Sequence, residues 1–352
     1  MRTGSRAMKT IFSRAVRLGV TGLFTAGLIA TAASAQQRVN GAIQEHGLFQ
    51  QKIAPDAIKV LHGSEFKGAH RVAIASFAVA FPSENQFFAA ARGGGIGALM
   101  GGGAKAYMDT SMTGVDRATQ QRITDKAFAL FKARLTAAGY EVVDQTALAA
   151  AAPEYAAWTP VPSFSQGRFG TYIAPTGERM FWNQADTAKR DTSGQFGALN
   201  ATFRTLETPV LYKRSPYIAH DGKLGIITVT LVVDYGVNSS NGEIKYGKAK
   251  VGFVPGVNIA AGNLVDRGSF LEYWGQNSGG FPAYALIQQP IVSSLDFATG
   301  SALGDGLSAK DKKNIRAQDV HLVADPAKFE AAADEVVAKA VPALVATMTA
   351  AK

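Results

Sequence analysis

Five histidines, 27 acidic side chains and no cysteine bound the chemistry open to this 352-residue chain. His46, His62, His70, His220 and His321 include no pair at i, i+2 or i, i+4 and no H-E-x-x-H, so the spacings that grip a catalytic zinc are missing. Without cysteine the soft structural zinc sites go too. The expectation is a chain with no metal and no cofactor. No G-x-S-x-G elbow supports the commonest serine-hydrolase geometry. Ser64-Glu65-Phe66-Lys67, Ser239-Ser240-Asn241 and Lys245-Tyr246-Gly247 follow in the S-x-x-K, S-x-N, K-x-G order of the penicillin-interacting serine enzymes. The last two crowd into one hairpin, however, where Asn241 is needed for the turn, whereas those enzymes set them on separate elements around a cleft. Glu207, Asp221, Asp234 and Glu243 could meet as an acid pair for glycoside or peptide hydrolysis. Beside Lys245 and Lys248 they read more simply as solvated carboxylates. Gly93-x-Gly95-x-x-Ala98 matches a loose dinucleotide fingerprint, but a dinucleotide loop must be a tight turn between strand and helix, and these glycines lie too far past the preceding strand.

Two further sets could bind rather than catalyse. Phe181, Trp182, Tyr273 and Trp274 could line a ligand site or a partner surface. Gly93, Gly97 and Gly101 extend from Ala89 a ladder of small residues at every fourth position, the pattern that lets helices approach closely, above all in lipid. Seven glycines in the eleven residues from Gly93 to Gly103 also carry a large entropic penalty against any helix. A flexible loop, a helical zipper and a membrane contact all stay open for this insert, which runs from about 87 to 112.

The elements that would position these groups begin after an export signal. Arg2, Arg6, Lys9, Arg14 and Arg17 precede the apolar run Leu18–Ala33, and Ala33-Ser34-Ala35 is an A-x-A cleavage site. The run is shorter than the roughly 20 residues that span a bilayer. The expected product is one exported periplasmic domain, 36–352, with no integral membrane span. Loss of the five basic residues of the signal lowers the formal charge from +9 to +4. No dense Lys/Arg cluster remains, so nucleic acid is not an expected partner.

Arg71–Phe81, RVAIASFAVAF, is apolar on both faces and reads as a central strand covered on both sides. Ile123, Ala127, Phe128, Phe131, Leu135 and Ala138 form the apolar stripe of a helix over Arg117–Ala138, which Gly139 stops. Tyr140–Asp144 returns as a strand, giving a β-α-β unit with parallel strands. Leu224–Val237 is the strongest strand signal and is expected to pair with Glu243–Val254 through an Asn241-Gly242 turn. Short helices are expected within Gln36–Gly68, over Thr146–Trp158 up to a break at Pro153, and around Ala283–Leu295; 159–207 is aromatic-rich and irregular. Asp325 caps a final helix with Pro326 at its first position. The fold class expected is α/β of the α+β kind: a mixed sheet in two or three layers, with a β-α-β core, an antiparallel hairpin and a C-terminal helix.

VAIASF, then ITDKAFALFKARLTAAGYEVVD, then ITVTLVVDY resembles the β-α-β core shared by the amino-terminal domain of the Tol–Pal translocation protein and the curli-secretion channel lipoprotein family. The resemblance spans Arg71–Asp144 and Leu224–Tyr235. This chain departs from it in carrying no lipidated cysteine after the signal and in its long aromatic middle. What the resemblance implies is an envelope protein acting through assembly contacts, by self-association or with another envelope protein. A periplasmic carrier of an apolar small molecule or lipid is the alternative reading, and a hydrolase using carboxylates comes third.

Overall fold

The computed structural model describes residues 38–39, 42–46, 51–53, 57–68, 70–90, 105–151, 163–165, 170–178, 180, 219–220, 223–238, 241–243, 248–262, 268–275, 281–300, 308–310, 314–316 and 319–350. Among these residues the fold mixes strands and helices around a ten-stranded sheet. Its path runs Ile58–Leu61, Ala283–Ile287, Phe270–Trp274, Gly225–Asn238, Arg71–Phe81, Thr171–Ile173, Ser163–Ser165. Arg71–Phe81 lies parallel to Gly225–Asn238 on one side. On its other side it lies parallel to Glu141–Val143 at the start and antiparallel to Thr171–Ile173 at the end.

The central strand sorts its residues by size. Val72, Ile74, Phe77, Val79 and Phe81 enter the main core, whereas Ala73 and Ala75, then Ala78 and Ala80, join two smaller clusters. The large residues change from even to odd positions because the pairing skips from Ile74–Ile227 to Ser76–Thr228, leaving Ala75 as the extra residue of a bulge. Helix Arg117–Ala137 lies on the large-residue side. Asp116 caps it by accepting the Thr119 N–H at 2.7 Å, and Phe128 and Phe131 set their rings 5.3 and 5.7 Å from that of Phe77. Gly139, at φ 82, ends the helix in the left-handed region as its sequence position predicts.

The C-terminal helix, Pro326–Ala350, packs beside it and is unbroken across Pro342. Asp325 caps it, accepting from the Ala327 and Lys328 N–H groups. Glu330 accepts from Arg122 and Lys126 at 2.8 Å each and ties the helices together. The two cations are more than half exposed, so water screens the pairs. Glu330→Ala should therefore cost only about 1 kcal/mol, a loss that shrinks in high salt; chemical denaturation at two ionic strengths reads it.

Glu335, further along, receives Lys339 at 2.6 Å and Ser293 at 2.5 Å. These hydrogen bonds, the lysine's first, hold its carboxyl down at about 2, against an ordinary 4.5. A depressed carboxyl contributes stability that is fully present above the unfolded value and lost as pH falls through the folded one. The melting temperature of the native chain should thus drop toward that of Glu335→Gln between pH 4.5 and about 2; melting curves that stay parallel over that window would rule the contribution out.

Several segments differ from the sequence expectation. Arg38–Val39, Ala42–His46 and Gln51–Ile53 form a small three-stranded sheet instead of helices. Ala283–Ile287 and Ile291–Val292 are strands, because all five residues of AYALI are buried and pair across the sheet, and Pro290 falls between the two strands. Gln145–Ala151 is helical, as expected ahead of Pro153, and its Leu148 packs on the alanine face. The second half of Gly225–Asn238 pairs antiparallel with Phe253–Ile259, with Pro255 inside it opposite Gly236 at a bulge. Asn241-Gly242 is a strand segment paired with Ala249–Lys250.

At Val232 the long strand changes neighbours. Phe270–Trp274 pairs with its first half and Phe253–Ile259 with its second. The Ser269 hydroxyl accepts the Val232 N–H at 2.8 Å across the handover. There Gly262 and Gly268 nearly touch: a Cβ on Gly268 would lie 2.2 Å from the Gly262 Cα, so only glycine fits.

The largest departure is the insert. Glu84–Ala90 and Lys105–Thr113 are strands of one antiparallel hairpin, in register from Glu84–Ser111 to Ala90–Lys105. Val320–Ala324 and Asn314–Arg316 pair in parallel with its second strand, and Ala298–Gly300 pairs antiparallel with Val320–Ala324, making a five-stranded sheet. This hairpin is called the arm below. Its tip, with Gly93, Gly97 and Gly101, lies outside the described residues.

Candidate functional site

The arm joins the core through buried polar groups. Ala106, Met108, Thr110 and Met112 point inward at every second residue, as a half-buried strand requires. Thr110 breaks that apolar row and meets Tyr235, the last large residue on the core face of the long strand. The Tyr235 hydroxyl donates to the Thr110 carbonyl at 2.9 Å, and the two hydroxyls lie 2.9 Å apart. Burial pushes the Tyr235 hydroxyl far above its ordinary range, so it stays protonated and a donor. Next to it the bulge turns Asp234 toward the arm, where it accepts from the Asn85 amide at 2.8 Å and the Tyr235 N–H at 2.7 Å. Asn258 donates to the Gly236 and Gly256 carbonyls at 3.2 and 3.1 Å. Phe87 packs on Phe253 with ring centroids 5.3 Å apart.

On the outward side, a cavity of about 440 Å³ is lined by Glu84, Asn85, Asp109, Thr110, Ser111, Asp319, Val320 and His321. The two ladders align Glu84, Ser111 and His321 in one cross-strand row. The Ser111 hydroxyl lies 2.9 Å from His321 Nδ1, the distance between a nucleophile and its base. Among the described residues the pair is not completed into a triad. His321 Nε2 faces the neutral Thr113 hydroxyl at 3.4 Å in place of a carboxylate that would stabilise an imidazolium. Ser111 sits between two paired strands, whose ladders engage the N–H groups that could form an oxyanion hole. Among the described residues no group of three His, Asp and Glu side chains could hold a metal ion. The arrangement can offer carboxylates and hydroxyls to a polar or cationic group by contact.

Tyr273 and Trp274 are 0 and 2 % exposed, so neither contributes to an open surface. As adjacent strand residues they point to opposite faces and enter different clusters, so they cannot line one site together. The Trp274 indole N–H donates to Glu272 at 2.7 Å, while burial lifts the Glu272 carboxyl above its usual range. Phe181, Trp182, Glu207 and Asp221 lie outside the described residues, and Asp234 serves the buried junction just described. Asn85, Thr110 and Ser111 were not among the sequence candidates, and His321 was weighed only as a metal ligand. For Thr110 and Ser111 the signal was the alternation in Ala106-Tyr107-Met108-Asp109-Thr110-Ser111-Met112, masked by the glycines before it.

The chain matches no family model, no curated protein and no solved structure. Among the described residues no helix is long and apolar enough to cross a membrane.

Proposed function

We propose that this chain is a non-catalytic, exported protein of the cell envelope that works in binding or assembly through protein contacts. The observation that supports the reading is the arm. Its last rung is Ala90–Lys105, and the residues carried beyond that rung include seven glycines between Gly93 and Gly103. Gly93, Gly97 and Gly101 leave backbone without side chains, which another chain can approach closely. The Asp234 and Tyr235 junction fixes the base from which that segment is presented. The resemblance of VAIASF and ITVTLVVDY to the two envelope families points the same way.

Native mass spectrometry of the chain from Gln36 onward, purified from a periplasmic extract without detergent, tests the reading. A defined multimer with no added mass is the expected result. A monomer carrying a lipid-sized adduct would overturn it in favour of a carrier.

A further inference from the structure

The cavity on the outer side of the arm's base selects its guest by charge and by size. Among the described residues that line it, Glu84, Asp109 and Asp319 are carboxylates and none is lysine or arginine. They arrive from three places: the first strand of the arm, its second strand, and the residue just ahead of Val320–Ala324. An anion would be repelled. A metal ion finds no group of three acidic or histidine side chains that could hold it among the described residues. At about 440 Å³ the space suits a polyatomic group more than a single ion. A guanidinium fits that description, because its five N–H donors fan out in one plane. The carboxylates accept, and the Ser111 hydroxyl, which already meets His321, keeps a further lone pair.

The chain carries such a group at the far end of the arm. Of residues 91–104, which follow the last rung Ala90–Lys105, Arg92 is the only charged one. Arg92 lies outside the described residues, but the rung before it bounds its reach. Ala90 stands six residues along the ladder from Glu84, about 20 Å away. Two residues of backbone bring Arg92 back by at most about 7 Å, and its side chain is about as long again. It therefore falls short of the row Glu84, Ser111 and His321 in its own chain. The cavity within its reach is that of another copy.

We propose, resting on the assembly reading above, that each arm places Arg92 in the cavity at the base of the arm of a second copy. Gly93, Gly94 and Gly95 follow it and bring no side-chain bulk to the cavity mouth. The two contacting surfaces are different parts of the chain, so the interface runs head to tail and every copy both gives an arm and receives one. Repetition of such a contact closes into a ring or continues as a filament.

Native mass spectrometry of Arg92→Glu, of Glu84→Arg, of the double variant and of an equal mixture of the two single variants tests this. Each single variant should lose the multimer, since like charges then meet in every interface. The double variant should regain it, and so should the mixture, as multimers containing both chains, because each cavity there finds a tip of opposite charge on the other variant. A multimer that survives Arg92→Glu, or single variants that stay monomeric when mixed, would overturn the proposal. Survival in Arg92→Glu together with loss on replacing 91–104 would overturn this contact and leave the assembly reading standing, whereas a monomeric native chain would sink both. Glu84 is exposed, so Glu84→Arg should melt within a few degrees of the native chain. Should it fail to fold, Arg92→Glu decides alone.

Discussion

Asp234→Ala should lower the folding stability by about 2 kcal/mol, because the buried Tyr235 N–H and the half-buried Asn85 amide lose their acceptor at once. Asp234 is 7 % exposed, and both the Asn85 amide and the Tyr235 N–H point at its Oδ1. Asp234→Asn keeps an oxygen at the same place and should cost only about 1 kcal/mol, since the charge and not the acceptor is removed. Urea denaturation measures both. Because the lost contacts join the arm to the core, amide exchange should quicken along Glu84–Ala90 and Lys105–Thr113 before it does along Arg71–Phe81. A change below about 0.5 kcal/mol for Asp234→Ala, the range of ordinary surface substitutions, would mean that the junction is held by packing of Phe87 on Phe253 instead.

Replacing residues 91–104 by Asn-Gly should leave the fold standing and abolish assembly. The last rung, Ala90–Lys105, is where a two-residue turn can close an antiparallel hairpin. The described contacts between arm and core lie on the near side of that rung, among them those of Asn85, Phe87, Ala106, Met108, Thr110 and Met112. The melting temperature is expected to stay within a few degrees while the native mass falls from multimer to monomer. A multimer that survives the exchange would move the assembly contact off the tip. A molten product would show that the tip is part of the core.

Much of this architecture was legible in the residues themselves. The central strand, helix Arg117–Ala137, its glycine stop and the final helix with its aspartate cap all follow from apolar spacing and end signals, which local sequence carries. Even the bulge at Ala75 is written in the shift of large residues from Val72 and Ile74 to Phe77, Val79 and Phe81. The arm was hidden for a physical reason. The glycines beyond Ala90 dominate any reading of local propensity, but the strands on either side are held by partners distant in sequence, Val320–Ala324 and Tyr235. Such pairings outweigh propensity and leave only a period-two alternation as their trace. Ala283–Ile287 failed differently: with both faces buried it has no alternation at all, and a short apolar run cannot tell strand from helix. The candidate pair Tyr273 and Trp274 illustrates a third limit. Adjacent aromatics look like one patch in a sequence, but a strand sends them to opposite sides.

The near contact of Gly262 and Gly268 gives the fold a port for new material. The chain leaves the sheet and re-enters it through one point, and the ladder on either side is already closed by Ser269 and its neighbours. Where two chain positions meet, the stretch between them can be lengthened at little entropic expense, since closure depends only weakly on the number of residues between them. A reporter domain, an affinity tag or a whole foreign module could therefore be spliced between those two glycines without asking the host to refold around it.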